Sequence, residues 1–396
     1  MIDLKQARAE PDRVRAALER KGAADRFDAL LAADERWRSL VPRVDELRGR
    51  QKLKGKPTPE QLEELARLKD ELRGLEDELV DAEAERDAWL QQVPNPPDPT
   101  APDGTTEEDA VELRRWGDPA PVGPEHTEIG RFELERAARL SGSRFGFIVG
   151  DTALVAFALY RFALDRAAAY GHTPMLPPVL VREEAMYGTG FFPTERSNIY
   201  AVEGDDLYLT GTSEVALAGF HMTEILEELP LRYSAFSTCF RREAGAAGQD
   251  TRGMFRLHQF NKVELFVYCE PARSGEEHDR LLAIEEEIVQ ALGLPYRVVN
   301  VAAGDLGDSA SKKYDIEAWF PSQQRYREIT STSNTTDFQA RRLGIRYRVS
   351  EKELANPHTL NGTAVTDRAL LAVLESYRGE VPEVLHAYGA PPRVER

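Results

Sequence analysis

The chain has 396 residues, of which 51 are lysine or arginine and 68 are aspartate or glutamate, so its formal net charge is −17. The hydrophobic fraction of 41% suffices for packed cores and excludes a disordered chain. No apolar run approaches the roughly 18 residues of a membrane helix. The negative balance also argues against a protein covered in basic surface for indiscriminate nucleic-acid binding.

Cysteine usage and the first residues indicate where the chain works. Cys239 and Cys269 are the two cysteines of the sequence, which predicts neither a disulfide framework nor a cysteine-rich metal site. Charged residues follow Met1 where a secretory signal needs an apolar run. We therefore expect a cytoplasmic protein with two or three domains and no membrane partner.

Residues 1–93 predict a helical arm. Pro11 suits a first helical turn, Gly22 suits a helix end, and a second helical pattern begins near Phe27. Pro42 falls inside that second helix and is expected to kink it. After a turn rich in glycine and proline, leucines recur at intervals of three and four residues, as in a coiled coil, at Leu65, Leu68, Leu72, Leu75 and Leu79. We predict an antiparallel helical hairpin that projects from the body, in preference to one side of an ordinary bundle.

Charge is distributed unevenly along this arm. Residues 36–56 contain eight basic and two acidic side chains, a local charge of +6, whereas the helix that returns from Glu60 is acidic. A charged stretch is usually a solvated helix face, but basic side chains gathered near the tip of an arm suit a phosphate backbone. The tip residues that we expect to bind nucleic acid are Arg48, Arg50, Lys52 and Lys54.

The rest of the chain predicts a linker and one mixed domain. Residues 94–104 form a stiff linker, because five prolines between positions 94 and 102 forbid a helix. From 105 to 396, strand patterns cluster and do not alternate with helices, which predicts an α+β domain on a largely antiparallel sheet. The predicted helices cover residues 153–170 and 278–292, and the predicted strands cover residues 207–212, 262–269, 296–301, 314–320 and 325–330.

Common nucleotide-binding loops are absent from the sequence, but polar residues concentrate in four segments. The densest is 239–264, where Arg241, Glu243 and Glu264 flank a glycine-rich loop. An arginine fork suits a phosphate, and a glutamate can accept a hydrogen bond from an adenine amino group or a substrate ammonium. A surface hairpin with ion pairs would also explain this segment taken alone. The other three concentrations cover residues 210–214, 325–334 and 358–368.

In order and spacing these segments resemble the seryl-tRNA synthetases, a family of class II aminoacyl-tRNA synthetases, over nearly the full length. The resemblance implies an antiparallel-sheet class II catalytic domain with an N-terminal helical-hairpin arm. The motifs that carry it are T-S-E at 212–214, F-R-R-E-A-G at 240–245, D-T-R-G at 250–253, H-Q-F-x-K-V-E at 258–264, Y-R-E at 326–328, D-F-Q-A-R-R at 337–342 and T-L-N-G-T at 359–363.

The resemblance also implies which residues bind ATP and its Mg²⁺. Arg241, Arg256 and Arg368 are expected to be catalytic, because they would offset charge on the phosphates of ATP. Glu328 and Ser331 are expected to hold Mg²⁺. The residues expected to bind ATP are Arg241, Arg242, Glu243, Leu257, Phe260, Glu328, Ile329, Thr330, Ser331 and Arg368.

The same resemblance implies a serine–tRNA ligase, which joins L-serine to ATP as seryl-adenylate and transfers the seryl group to the 3′ end of tRNA-Ser. Buried hydrogen-bonding groups would reject an amino acid that lacks the hydroxyl. The implied partners are tRNA-Ser, reached by the arm, and a second copy in a homodimer with Pro178 at the interface; no DNA partner is implied. The residues expected to bind serine are Thr212, Ser213, Glu214, Arg241, Glu264 and Thr363.

One departure from the family pattern concerns the third-motif segment. The stretch from Asn361 to Arg368 is one residue shorter than is usual, and it places the anion Asp367 beside Arg368. A specialised second copy would fit this departure. Two further hypotheses stay open: a synthetase-like paralogue that activates an amino acid for a carrier protein or a biosynthetic pathway, and a catalytically inactive regulator. The helical arm favours a tRNA substrate.

Overall fold

The computed structural model describes residues 1–52, 58–244 and 253–395. It divides into two compact units, Met1–Pro96 and Pro97–Arg396, so the division falls within the predicted linker. Among the described residues, no helix is long and apolar enough to cross a membrane.

The first unit consists of helices. These are α1 (Leu4–Ala9), α2 (Pro11–Glu19), α3 (Ala24–Arg50) and α4 (Pro59–Gln92). Thr58 begins α4 with a capping box, in which its hydroxyl accepts a hydrogen bond from the backbone of Gln61 and the Gln61 side chain accepts one from Thr58. Helix α3 continues through Pro42 to Arg50.

Two apolar clusters hold this unit together. The leucine seam of the sequence is present, since Leu68, Leu72 and Leu75 of α4 pack against Leu40 and Val44 of α3. A second cluster joins α1 and α2 to the base of the hairpin. The predicted helical hairpin is therefore confirmed, and its interior is the predicted heptad seam.

The second unit is built from sixteen strands and eight α-helices among its described residues. The helices are α5 (His126–Ile129), α6 (Leu134–Ser141), α7 (Asp151–Ala169), α8 (Glu183–Thr189), α9 (Glu214–Gly219), α10 (Ser274–Ala291), α11 (Phe338–Leu343) and α12 (Asp367–Tyr377). The strands are β1 (Val111–Trp116), β2 (Phe132–Glu133), β3 (Phe147–Ile148), β4 (Thr173–Met175), β5 (Leu180–Val181), β6 (Tyr200–Ala201), β7 (Tyr208–Leu209), β8 (Ile225–Leu226), β9 (Leu231–Phe240), β10 (Gln259–Cys269), β11 (Tyr296–Asn300), β12 (Lys312–Phe320), β13 (Arg325–Asn334), β14 (Arg346–Ser350), β15 (Glu353–Ala355) and β16 (His358–Thr366).

Eight of these strands form one sheet, in the order β1-β11-β12-β13-β16-β10-β9-β4. Every neighbouring pair is antiparallel except β4 and β9, which run parallel. The predicted α+β class with an antiparallel sheet is therefore confirmed.

Strand β10 shows how the sheet separates its two faces. Val263 and Leu265 enter the large core that the sheet forms with α7, α10 and α12. Phe266 and Tyr268 enter a smaller cluster with α9 and α11 on the opposite face. Since alternate residues of a strand share a face, Glu264 lies on the second face, which carries the candidate site.

Most predicted elements of this unit are present. Helices α7 and α10 match the predictions for 153–170 and 278–292, and β10 to β13 match four of the five predicted strands. The predicted strand at 207–212 is reduced to the two residues of β7. The segment 358–366, predicted only as a polar concentration, is the central strand β16.

Candidate active site

A cavity of about 110 Å³ lies where β9, β10, β13 and β16 come together. The antiparallel register pairs Phe240 with Gln259, so Arg241 lies opposite His258 and diagonally next to Phe260. The Arg241 guanidinium lies 5.3 Å from the centre of the Phe260 ring. The expected site residues that line this cavity are Arg241, Glu243, Arg256, Leu257, Phe260, Glu328, Ile329, Thr330, Ser331, Thr363 and Arg368.

Arg242 lies differently from the other expected ATP residues. Its guanidinium lies 5.8 Å from the centre of the Tyr200 ring, and its backbone N–H donates to the carbonyl of Asn198 at 2.9 Å. Arg242 is not among the residues that line the cavity.

Glu243 and Arg256 form an ion pair at the cavity wall. An Arg256 nitrogen lies 3.1 Å from Glu243 Oε2, and both side chains are largely buried. Glu243 has a φ of +52°, a left-handed conformation that costs a residue with a Cβ roughly 1–3 kcal/mol. The D-T-R-G motif at 250–253 falls mostly outside the described residues, which resume at Gly253.

Arg368 fixes Glu328 on the opposite side of the cavity. The Arg368 guanidinium donates to the Glu328 carbonyl at 3.0 Å and to its carboxylate at 3.2 Å. Burial alone would raise the pKa of Glu328, but Arg368, Lys313 and Arg241 outweigh it and lower that pKa to about 2. Glu328 is therefore ionised at neutral pH.

The donor set around Glu328 fits Mg²⁺. Glu328 supplies a carboxylate and Ser331 a hydroxyl to the same cavity, and Mg²⁺ prefers oxygen ligands. Within the described ranges, no cluster of three histidine, cysteine or acidic residues could hold a metal by itself. Mg²⁺ is usually bound by one or two carboxylates together with substrate phosphates.

The Asp367 carboxylate is hydrogen-bonded to two other elements of the second unit. Its carboxylate accepts hydrogen bonds from the Tyr160 hydroxyl and, at 3.0 Å, from the Asn261 backbone N–H. Burial raises its pKa to about 6. The anion that the sequence places beside Arg368 is thus tied to α7 and β10, while Arg368 pairs with Glu328.

The expected serine residues lie beside this cavity. Glu264 is 1% exposed, forms an ion pair with Lys262, and is paired in register with Thr363 of β16. Burial raises the pKa of Glu264, while Lys262 and a hydrogen bond with Thr212 oppose that rise. Ser213 is buried at the start of α9.

Glu214 completes this group. Burial and then the nearby charge of Glu264 raise its pKa to about 7, and a hydrogen bond from Gln339 opposes the rise. Arg241 lies between the expected serine residues and the expected ATP residues. It lines the cavity, and its Nε donates to the carbonyl of Gly211, the residue before Thr212, at 3.2 Å.

Sequence reasoning missed Lys262, Gln339 and Asn361, which contact the two glutamates. Lys262 could have been found, because it lies two residues before Glu264 on one strand and so shares its face. No sequence signal connects Gln339 or Asn361 to Glu214.

A second cleft of about 470 Å³ continues from the cavity and shares Phe255, Arg256, Glu328 and Arg368 with it. Lys313 and Asp315 form an ion pair of 3.0 Å in this cleft. Burial raises the pKa of Asp315 to about 7.

In the arm, some basic residues of α3 pair with acidic residues of α4. Among the described residues of the arm, the ion pairs between the two helices are Arg36 with Glu85 at 2.8 Å, Arg48 with Glu76 at 2.9 Å and Arg50 with Glu64 at 3.9 Å. Lys52 is exposed. Lys54 lies outside the described residues.

Comparison with known proteins decides the family. Residues 1–97 match the seryl-tRNA synthetase N-terminal domain, and residues 198–377 match the tRNA synthetase class II core domain (G, H, P, S and T). The serine–tRNA ligase of Thermobifida fusca strain YX is 46% identical, and the match covers 98% of this chain and 97% of that protein. The chain belongs to the seryl-tRNA synthetase family. The serine–tRNA ligase of Streptomyces coelicolor is 47% identical and covers 98% of this chain and 97% of its own length.

Solved structures of this family agree with the fold. The seryl-tRNA synthetase of Pyrococcus horikoshii, solved in complex with ATP, superposes with a TM-score of 0.93 at 38% identity, and the match covers 100% of both chains. The cytoplasmic serine–tRNA ligase of Naegleria fowleri, solved in complex with AMP, gives a TM-score of 0.88 at 34% identity, covering 97% of this chain and 95% of that one. The family and fold predicted from the motifs are confirmed.

Proposed function

We propose that this protein is a serine–tRNA ligase, which activates L-serine with ATP and transfers the seryl group to the 3′ end of tRNA-Ser. The observation that carries the proposal is the position of Glu264, a buried glutamate paired with Lys262 beside a cavity lined by Arg241, Arg256 and Arg368. A buried carboxylate suits a small ammonium, and three arginines suit a triphosphate.

In the first half-reaction, serine binds with its ammonium at Glu214 and Glu264 and its carboxylate towards Arg241. A carboxylate oxygen attacks the α-phosphorus of ATP, the bond to the bridging oxygen breaks, and pyrophosphate leaves with the bonding electrons. Arg241, Arg256 and Arg368 offset the negative charge that accumulates on the phosphate oxygens. In the second half-reaction, a terminal ribose hydroxyl of the tRNA attacks the seryl carbonyl, and AMP leaves.

The nucleotide takes the cavity beside these residues. Phe260 stacks on the adenine, and Glu243 accepts a hydrogen bond from its amino group. Because Glu243 is paired with Arg256 in the free protein, ATP binding replaces that ion pair with contacts to adenine and phosphate. Glu328 and Ser331 would hold Mg²⁺, which supplies positive charge to the phosphate oxygens when it is bound.

We also propose that the protein works as a homodimer in the cytoplasm. Leu154 and Phe157 of α7 are 48% and 66% exposed, and Leu176, two residues before Pro178, is 84% exposed. Exposed apolar side chains such as Leu154 and Phe157, one turn apart on the same helix, favour contact with a partner. Cys239 and Cys269 are both free, which suits a reducing compartment.

The test is a pair of assays on the full chain. Exchange of ATP and pyrophosphate is measured with each amino acid, and then charging of tRNA-Ser is measured with the amino acid that supports exchange. We expect exchange with serine and charging of tRNA-Ser. Exchange without charging would favour the paralogue that loads a carrier, and the lack of exchange with any amino acid would favour the inactive regulator.

A further inference from the structure

Helix α11 carries most of the D-F-Q-A-R-R motif, for which the proposed mechanism has no role. Arg342 of this motif is hydrogen-bonded to the segment 187–192. Arg342 donates to the carbonyls of Tyr187 and Phe192 at 3.0 and 3.2 Å. Arg341 forms an ion pair of 2.7 Å with Asp337 at the start of the helix. These contacts fix the helix from which Gln339 projects.

Gln339 is completely buried and bonded at both ends of its amide. Its Nε2 donates to Glu214 Oε1 at 2.7 Å and approaches the Thr189 carbonyl at 3.3 Å. Its Oε1 accepts from the Thr359 hydroxyl at 2.9 Å. Because the oxygen end is taken by this hydroxyl, the NH₂ group faces Glu214.

A second amide meets the same carboxylate oxygen. Asn361 of β16 donates from Nδ2 to Glu214 Oε1 at 3.0 Å. Both donors converge on Oε1, so the carboxylate is held in one orientation, and Oε2 receives neither of these bonds. Two donors on one oxygen favour the ionised form of a carboxylic acid.

The charges around Glu214 explain why such support is needed. Glu264 and Lys262 face it from β10, and Arg241 faces it from the end of β9. From α11 the group that faces it is the neutral amide of Gln339. Burial and the charge of Glu264 favour the protonated carboxyl, whereas Gln339, Lys262 and Arg241 favour the ionised one.

We propose that Gln339 is a positioning residue, which orients the Glu214 carboxylate towards the ammonium group of the amino-acid substrate and favours its ionised form. The assignment rests on the proposed function, in which Glu214 belongs to the serine pocket. Gln339 acts through Glu214 and does not touch the substrate.

The test compares Gln339→Leu and Gln339→Glu with the wild-type protein in serine-dependent ATP–pyrophosphate exchange between pH 6 and 9. Losing a hydrogen bond to a charged group should raise the KM for serine roughly 10- to 100-fold. The KM for ATP should change less than about 3-fold, because that hydrogen bond does not reach the ATP cavity. Gln290→Leu is the matched control, since the Gln290 amide of α10 donates to the Tyr296 hydroxyl of β11 at 2.7 Å; it should keep the wild-type KM for serine.

The pH profile separates positioning from a merely structural role. In the wild type, the KM for serine should fall as pH rises through about 7, because Glu214 ionises there. In Gln339→Leu this fall should move to higher pH. In Gln339→Glu, the new carboxyl group donates to Glu214 only while it is protonated, so the KM should instead rise with pH.

Three results would overturn the assignment. The first is a wild-type KM for serine in both variants. The second is an equal rise in the KM for serine and for ATP, which would indicate general damage. The third is a KM for serine that falls with rising pH in Gln339→Glu, as in the wild type. Because glutamate matches the shape of glutamine, this variant provides the test if Gln339→Leu fails to fold. No serine-dependent exchange in the wild type would instead overturn the proposed function, and this assignment with it.

Discussion

The ion pair of Lys262 and Glu264 gives the strongest test of the electrostatics of the serine pocket. The two side chains are only 7% and 2% exposed. Replacing Lys262 by methionine keeps a side chain of similar length and removes the ammonium. Breaking a buried ion pair by removing one partner costs about 3–5 kcal/mol, because the other charge is left uncompensated. We therefore expect Lys262→Met to lower the stability of the catalytic unit by an amount of this order at pH 8.

This loss should depend on pH. Burial already raises the pKa of Glu264, and Lys262 is the strongest influence that opposes the rise. Without Lys262, the pKa of Glu264 rises further, so the carboxyl stays protonated up to a higher pH. An acid whose pKa is raised on folding loses stability as pH increases from its unfolded pKa of 4.5 to its folded value. The cost of Lys262→Met should consequently be smaller at pH 5 than at pH 8.

Calorimetric unfolding at pH 5 and pH 8 would measure the effect. The double variant Lys262→Met/Glu264→Gln removes both charges, and we expect it to regain most of the stability that the single variant loses at pH 8. Serine-dependent exchange should remain impaired in both. An unfolding temperature for Lys262→Met that equals the wild-type value at pH 8, or a double variant no more stable than the single one, would refute the reasoning.

Three further predictions concern ATP, serine and the arm. Arg368→Gln removes the strongest influence that lowers the pKa of Glu328, so the KM for ATP should rise and kcat for exchange should fall about 100-fold, with the KM for serine nearly unchanged in steady-state assays. The kcat/KM for serine should increase through about pH 7 as Glu214 ionises, and Glu214→Gln should abolish this step in the profile. Glu76→Gln should lower the KM for tRNA in charging assays and Arg48→Ala should raise it, because Glu76 holds Arg48 at 2.9 Å.

Each of these has an outcome that contradicts it. Equal effects of Arg368→Gln on the KM for ATP and for serine would indicate a disturbed fold in place of a lost phosphate contact. A step near pH 7 that survives in Glu214→Gln would belong to another group. A wild-type KM for tRNA in both Glu76→Gln and Arg48→Ala would place the RNA contact elsewhere. Exchange of ATP and pyrophosphate, which needs no tRNA, is the control for these two variants.

The elements that the sequence predicted correctly are those with a local repeat. The leucines from Leu65 to Leu79 repeat at helical spacing, and the alternation around Glu264 identifies β10. Strand β16 was missed because its centre, Leu360-Asn361-Gly362, contains two residue types that strands disfavour. It is buried on both sides and lies between β13 and β10, so tertiary packing overrides its weak local preference.

The candidate site was predictable only where a motif identified it. Glu214 and Glu264 lie in recognised motifs, and the structure brings both of them to Lys262. Gln339 and Asn361 contact Glu214 across 125 and 147 residues of chain, respectively. No local pattern encodes such contacts, because they arise only when α9, α11 and β16 have packed together.

The charge of the arm also differs between sequence and structure. The local charge of +6 in residues 36–56 suggests a free basic surface. The structure instead pairs three of its arginines with glutamates of α4, among them Arg48 with Glu76 and Arg50 with Glu64. Exposed pairs of this kind are weak. If the arm binds RNA as we expect, these pairs exchange for contacts with phosphate, and each exchange releases a glutamate that repels the RNA. A net charge of −17 limits attraction for RNA at a distance, so we expect tRNA binding by the arm to depend on how well the two fit in shape.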